Sequence, residues 1–172
     1  MAHRMLYKAI KRIKRVMAYL RKPLLREEDL RGMNLDGANL SYKNLRYKDL
    51  TSANLSGADL IGANLSFAKL TSANLFGAVL IAADLSCADL TGADLTETYL
   101  PHADLCYADL TGAKLTGADL SFVHLIGANL TGANLTGADL RVANLYYANL
   151  TDANLTDAKL FGATMPDGRK HA

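Results

Sequence analysis

Leucine occupies every fifth position from Leu30 to Leu160, 27 times over 131 residues, with no insertion, deletion or substitution. A strict internal period decides the architecture before any other feature does. An α-helix buries a residue about every 3.6 positions and a flat strand about every second one, so a period of five fits neither. A chain that buries one residue in five must turn after each one. It becomes a coil of short straight sides around a narrow leucine-filled axis.

The rest of the unit fits that coil. Two residues before the leucine stands Ala in 21 of the 27 units, and one residue before it stands Asp or Asn in 21 of 27. Residues two apart in extended chain point the same way, so the alanine should face inward beside the leucine. Asp and Asn bond their side chains to nearby backbone and tolerate tight turns. The two positions after the leucine favour Ser or Thr and then Gly, and glycine supplies the positive φ that one type of corner needs.

The variable positions set the number of sides. Read at every fourth unit, the first position after leucine gives an unbroken column: Thr51, Thr71, Thr91, Thr111, Thr131, Thr151. The second position of the neighbouring side gives Tyr47, Phe67, Cys87, Tyr107, Gly127, Tyr147. Both columns repeat after 20 residues. Like side chains stack when successive coils lie about 4.8 Å apart, so the coil has four sides of five residues and the rod is roughly 32 Å long.

A unit such as Ala58-Asp59-Leu60-Ile61-Gly62 has the form Ala-(Asp/Asn)-Leu-X-X. Over residues 30–165 the chain resembles the pentapeptide-repeat proteins. The resemblance implies an all-β fold, a right-handed quadrilateral parallel β-helix of about seven coils with four pentapeptides per coil. It implies no particular activity, because the repeat is a scaffold shared by members with different roles.

Charge divides the chain. Residues 1–22 carry eight Lys and Arg and no acid, while residues 23–165 carry nine bases and sixteen acids. Leu6, Ile10, Ile13, Met17 and Leu20 share one helical face, and Pro23 stops the pattern. Residues 1–22 therefore read as a basic amphipathic α-helix, residues 23–165 as the β-helix and residues 166–172 as a disordered tail. The helix is expected to cap the open N-terminal end of the coil. In the sharper reading Lys11, Arg12, Lys14 and Arg15 contact an anionic membrane or nucleic acid. The first coil places Met33, Lys43 and Lys48 where other coils have alanine, as suits a coil near an open end where ammonium groups reach water. The longest apolar run, Val16–Leu20, is too short for a membrane span or a signal-peptide core.

No residue pattern points to catalysis. His3, His102, His124 and His171 share no ligand spacing, and the glycines of the repeat sit at one fixed phase rather than in a phosphate-cradling loop. Stacked carboxylates such as Asp84 and Asp104 follow from the repeat itself. No enzyme activity, metal or cofactor is expected. Cys87 and Cys106 are too few for a disulfide framework; free thiols in a reducing, cytoplasmic setting are expected.

Binding is the better expectation, since the sides are unequal. Two adjacent sides are polar. The other two carry Ile61, Ile81, Pro101 and Phe161, with Tyr42, Phe122 and Val142 beside them, then the Tyr47–Tyr147 column with Ile126 and Tyr146 adjoining it. Tyr47, Ile61, Phe67, Ile81, Tyr107, Phe122, Ile126, Tyr146 and Tyr147 form the candidate surface for a protein partner, as a contiguous apolar strip marks such surfaces. Aromatic columns also stabilise stacked coils by self-contact, and the sequence alone leaves the two readings open.

The family's best-known activity is imitation of duplex DNA, which occupies type II topoisomerases. From Asp49 to Leu160 the chain has twelve acids and four bases. Duplex DNA over the corresponding roughly 27 Å would carry about 16 charges, about twice the net charge here. The basic head and the absence of projecting loops also fit DNA mimicry poorly, so it stands as an alternative. At the C-terminal end, Leu155, Leu160, Phe161 and Met165 are expected to face water and to join two copies in a homodimer.

Overall fold

The structure, a computed structural model, describes residues 29–172. The expected amphipathic helix, with Lys11, Arg12, Lys14 and Arg15, lies outside the described residues. Parallel bridges join residues 20 positions apart, from Asp29–Asp49 through Asn144–Thr164, so four pentapeptides close one coil. Side 1 carries Leu30 to Leu150, side 2 Leu35 to Leu155, side 3 Leu40 to Leu160, and side 4 Leu45 to Leu145 followed by Met165. Leucine and alanine fill the axis, and every leucine from Leu50 to Leu145 is at most 1% exposed.

The sequence motif follows from where the backbone donors go. In the unit Ala88–Gly92, the Ala88 N–H donates to the Leu85 carbonyl (3.0 Å), closing the preceding corner. The Asp89 N–H donates back to Ala68 (3.0 Å), while those of Leu90 and Gly92 donate forward to Asp109 (2.7 Å) and Thr111 (2.9 Å). One donor remains, the Thr91 N–H, and it donates to the Asp89 Oδ1 at 3.0 Å. Buried or crowded backbone donors must be paired, and this one finds its acceptor on the Asp side chain. All 21 Asp and Asn residues at this position make the same bond. Where Tyr99 occupies the position instead, the residue two further on is Pro101, which has no N–H to satisfy.

Every corner is alike. The second residue after each leucine, from Gly32 to Gly162, has φ between 52° and 74°, and 15 of these 27 residues are not glycine. Positive φ at the third turn residue alone is the type II pattern. Glycine therefore does not mark one corner type, as the sequence suggested; the fold imposes the same conformation on Tyr, Phe, Ser, Glu and Asp.

The ends differ. Leu30, Leu35, Leu40 and Leu45 are buried, whereas Leu150, Leu155, Leu160 and Met165 are half-buried. In the first coil Met33 and Lys48 are half-buried and Lys43 is exposed. Residues 166–172 are not the disordered tail expected from their polarity. Thr164 and Lys170 pair antiparallel. The Gly162 N–H donates to His171 (2.9 Å), the His171 N–H to Ala163 (2.8 Å) and the Met165 N–H to Arg169 (2.8 Å). Asp167-Gly168 makes the reversal, with Gly168 at φ 85°. The short tail thus pairs with open backbone of the last coil, for which neither length nor apolar content is needed.

Candidate interaction surface

Side 4 is framed by two ridges. The corner shared with side 3 holds Tyr42, Gly62, Ala82, His102, Phe122 and Val142; the corner shared with side 1 holds Tyr47, Phe67, Cys87, Tyr107, Gly127 and Tyr147. Several of these rings lean on the next coil. Tyr47 stacks on Phe67 with centroids 5.2 Å apart, and the Arg46 guanidinium lies over both rings, 4.6 Å from that of Tyr47 and 5.2 Å from that of Phe67. His102 stacks on Phe122 at 4.9 Å, and Tyr146 meets Tyr147 at 4.0 Å.

Two tyrosines cover glycine instead of another ring. Tyr107 lies 2.7 Å from where a Gly127 side chain would begin, and Tyr42 lies 2.6 Å from the same point at Gly62. The rings remain open to solvent all the same: Tyr47 is 64%, Tyr107 68% and Tyr147 70% exposed. Self-contact and exposure therefore coexist: Tyr47 rests on Phe67, Tyr107 on Gly127 and Tyr147 against Tyr146.

Of the residues singled out from sequence, Tyr47, Phe67, Tyr107, Phe122, Tyr146 and Tyr147 are exposed. Ile61, Ile81 and Ile126 are half-buried; each is the first residue of its corner, before the positive-φ position. Pro101 is buried. Phe161 is exposed at the C-terminal end. Sequence reading passed over Val79, Tyr99 and Phe76. Their signal was available: Val79 and Tyr99 stand where the repeat has Asp or Asn, and Phe76 stands in a Ser/Thr column.

The acids are occupied by the fold. Lys69 sits between Asp49 and Asp89 in one column, Lys114 Nζ lies 3.5 Å from Asp94, and Arg141 grips both oxygens of Asp139. The Arg141 bond holds Asp139 below the usual carboxylate range. The Thr51 hydroxyl does the same for Asp49. Burial pushes Asp89 upward, but bonds from the Thr91 N–H and from the Thr91 and Thr71 hydroxyls outweigh it and leave it lowered. The Cys106 thiol is pushed up to about 11, chiefly by burial, and Cys87 and Cys106 are free. Among the described residues no cluster of His, Cys, Asp or Glu could hold a metal, and no helix is long and apolar enough to cross a membrane.

The family model for pentapeptide repeats matches eight copies, over residues 44–80, 83–121 and 124–162, more than half of the chain. The chain belongs to the pentapeptide-repeat family. Among solved pentapeptide-repeat structures it is similar to HetL, involved in heterocyst differentiation regulation in the cyanobacterium Nostoc sp. strain PCC 7120. The two are 42% identical over 82% of this chain and 71% of HetL, with a TM-score of 0.34. It is also similar to QnrB1, a plasmid-mediated fluoroquinolone resistance protein, at 21% identity over 74% of this chain and 77% of that one, with a TM-score of 0.58. A pentapeptide-repeat protein of the Arabidopsis thaliana thylakoid lumen is 36% identical over 65% of this chain and 71% of its own, with a TM-score of 0.35. A comparison with curated protein sequences finds no match.

Proposed function

We propose that this pentapeptide-repeat protein is a non-catalytic scaffold that binds a protein partner through the aromatic corners flanking side 4. The observation that carries the reading is that Tyr42, Tyr47 and Tyr107 are seated on the next coil, and Tyr147 against Tyr146, with most of their surface open. Rings already ordered in the free protein lose little freedom on binding, and tyrosine supplies large contact area with few rotatable bonds. Two copies meeting through Leu155, Leu160, Phe161 and Met165 would lengthen the same surface.

Duplex-DNA mimicry has less support. Stacked carboxylates occur only in pairs, Asp29–Asp49, Asp84–Asp104, Asp89–Asp109 and Asp119–Asp139, and lysines are set into three of the four columns. A DNA backbone presents an uninterrupted row of charge. The likeness to QnrB1, at 21% identity, supports the shared fold and no more.

The test is affinity capture from the source cell with three full-length proteins: the parent, Tyr107→Ala with Tyr147→Ala, and a head variant with Lys11, Arg12, Lys14 and Arg15 changed to Gln. A partner retained by the parent and the head variant but lost from the tyrosine variant is the expected result. Retention by the tyrosine variant, with loss from the head variant, overturns the assignment to the corners.

A further inference from the structure

Side 3 departs from the repeat with apolar residues at two successive positions. The column that elsewhere holds Asp or Asn runs Asp59, Val79, Tyr99, Asp119, joined by successive parallel bridges. Beside it run Ile61, Ile81 and Pro101, aligned by bonds from the Gly62 N–H to Ile81 (2.9 Å) and from the Ala82 N–H to Pro101 (3.1 Å). Val79 and Tyr99 give up the side-chain acceptor that Asp or Asn would supply. In return they place an apolar patch, with Tyr99 45% exposed, on a flat wall three coils tall.

The charged groups nearest this patch are carboxylates, with His102 at the corner beside Pro101 and His124 next to Asp104 in the side 4 column. Asp59 and Asp119 close its two ends, Asp84 and Asp104 stand on side 4, and Glu97 stands at the corner with side 2. Sides 3 and 4 hold no Lys or Arg in residues 58–67, 78–87, 98–107 and 118–127. One coil further toward the C-terminus Arg141 is bound to Asp139; one coil toward the N-terminus side 4 carries Lys43 and Arg46, the latter lying over the Tyr47 and Phe67 rings. Asp59, Asp84, Asp104 and Asp119 form no ion pair among the described residues. Each has one carboxylate oxygen engaged by its own backbone.

The dimensions also select a partner. One turn of α-helix rises about 5.4 Å and one coil about 4.8 Å. A helix lying along the rod axis would therefore set one apolar residue on each coil and drift by less than about 2 Å over three coils. Its flanking residues would face Asp59 and Asp119 at the two ends and Glu97 at the corner with side 2.

We infer that side 3 is a docking face for a cationic amphipathic helix of a partner protein. It rests on the scaffold reading only in supposing a partner; the aromatic corners take no part, so either can fail without the other.

The probe is a labelled peptide of about four helical turns, leucine on one face and lysine on the rest, titrated with full-length protein and followed by fluorescence anisotropy. Asp59→Lys with Asp119→Lys, and separately Ile81→Ser with Tyr99→Ser, should each weaken binding about tenfold or more. Asp89→Lys with Asp109→Lys, which changes net charge equally but on side 1, should stay within about twofold. Lysine already occupies this position at residues 69, 114 and 159, so the charge variants suit the fold; they decide the matter if the Ser variant does not fold. Equal weakening by both charge variants, equal affinity for a scrambled peptide, or no binding by the parent overturns the proposal.

Discussion

At each corner one residue sits near φ +60°, and 15 of them do so with a side chain attached. That conformation costs a non-glycine residue about 1–2 kcal/mol, offset in part by the greater freedom glycine loses on folding. Ala82, exposed and at φ 52°, should gain from replacement. Ala82→Gly is expected to raise Tm by a few degrees, from a net of about 0.5–1 kcal/mol. Gly57, with open space around it, should lose a similar amount as Gly57→Ala, through φ alone. Thermal melting of the two variants checks both, and a fall in Tm for Ala82→Gly would contradict the corner conformation. At this scale the sequence disclosed the inward leucine and alanine because burial restricts composition. It disclosed the corners only where glycine stood, because a corner side chain points to water and almost any type is tolerated.

The coil is the next unit up, and its cohesion includes a pH-sensitive part. Asp49, Asp89, Asp94 and Asp139 all have lowered pKa values in the folded chain. A carboxylate with a depressed folded pKa binds protons more tightly when unfolded, so its stabilisation is present above the unfolded value and is lost as pH falls through the folded one. Tm should therefore fall as pH is lowered below about 4. Replacing the four by Asn should flatten that fall, since Asn keeps the bond to the N–H two residues on, as Asn54, Asn134 and Asn154 show. Melting curves between about pH 2 and pH 6 make the comparison; an unchanged slope in the Asn variant would assign the acid sensitivity elsewhere. The 20-residue column was readable because like stacked on like in the threonines. Tyr107 over Gly127 was not, because searching for similarity hides a large residue paired with an absent one. The Asp/Asn preference was readable as a turn former, but its particular task, accepting the one N–H the ladder leaves over, needed the whole set of bonds.

Across the molecule the asymmetry of the ends matters most. The C-terminal hairpin pairs with backbone near Gly162, Ala163 and Met165, yet Leu150, Leu155 and Leu160 stay half-buried and Phe161 is 72% exposed. An open core edge is a template for association, and a two-fold pairing of ends would cover it. Light scattering is expected to show a dimer at micromolar concentration and a monomer for Phe161→Asp. A monomeric parent, or a dimer indifferent to the change, would end that expectation. The sequence names which leucines come last. It missed the hairpin, because backbone pairing by the short segment Asp167–Ala172 leaves no hydrophobic pattern.

Four pentapeptides to the coil also make distance and direction separate variables. Removing or adding 20 residues would move two surface groups about 4.8 Å closer or further apart and leave both pointing as before. Removing five would change their separation by only about 1.2 Å along the axis but swing everything beyond the joint through a quarter turn. The Tyr147 ridge would then lie in line with a different edge from Tyr107. A rod of this kind can alter its reach without altering its aim, or its aim almost without altering its reach.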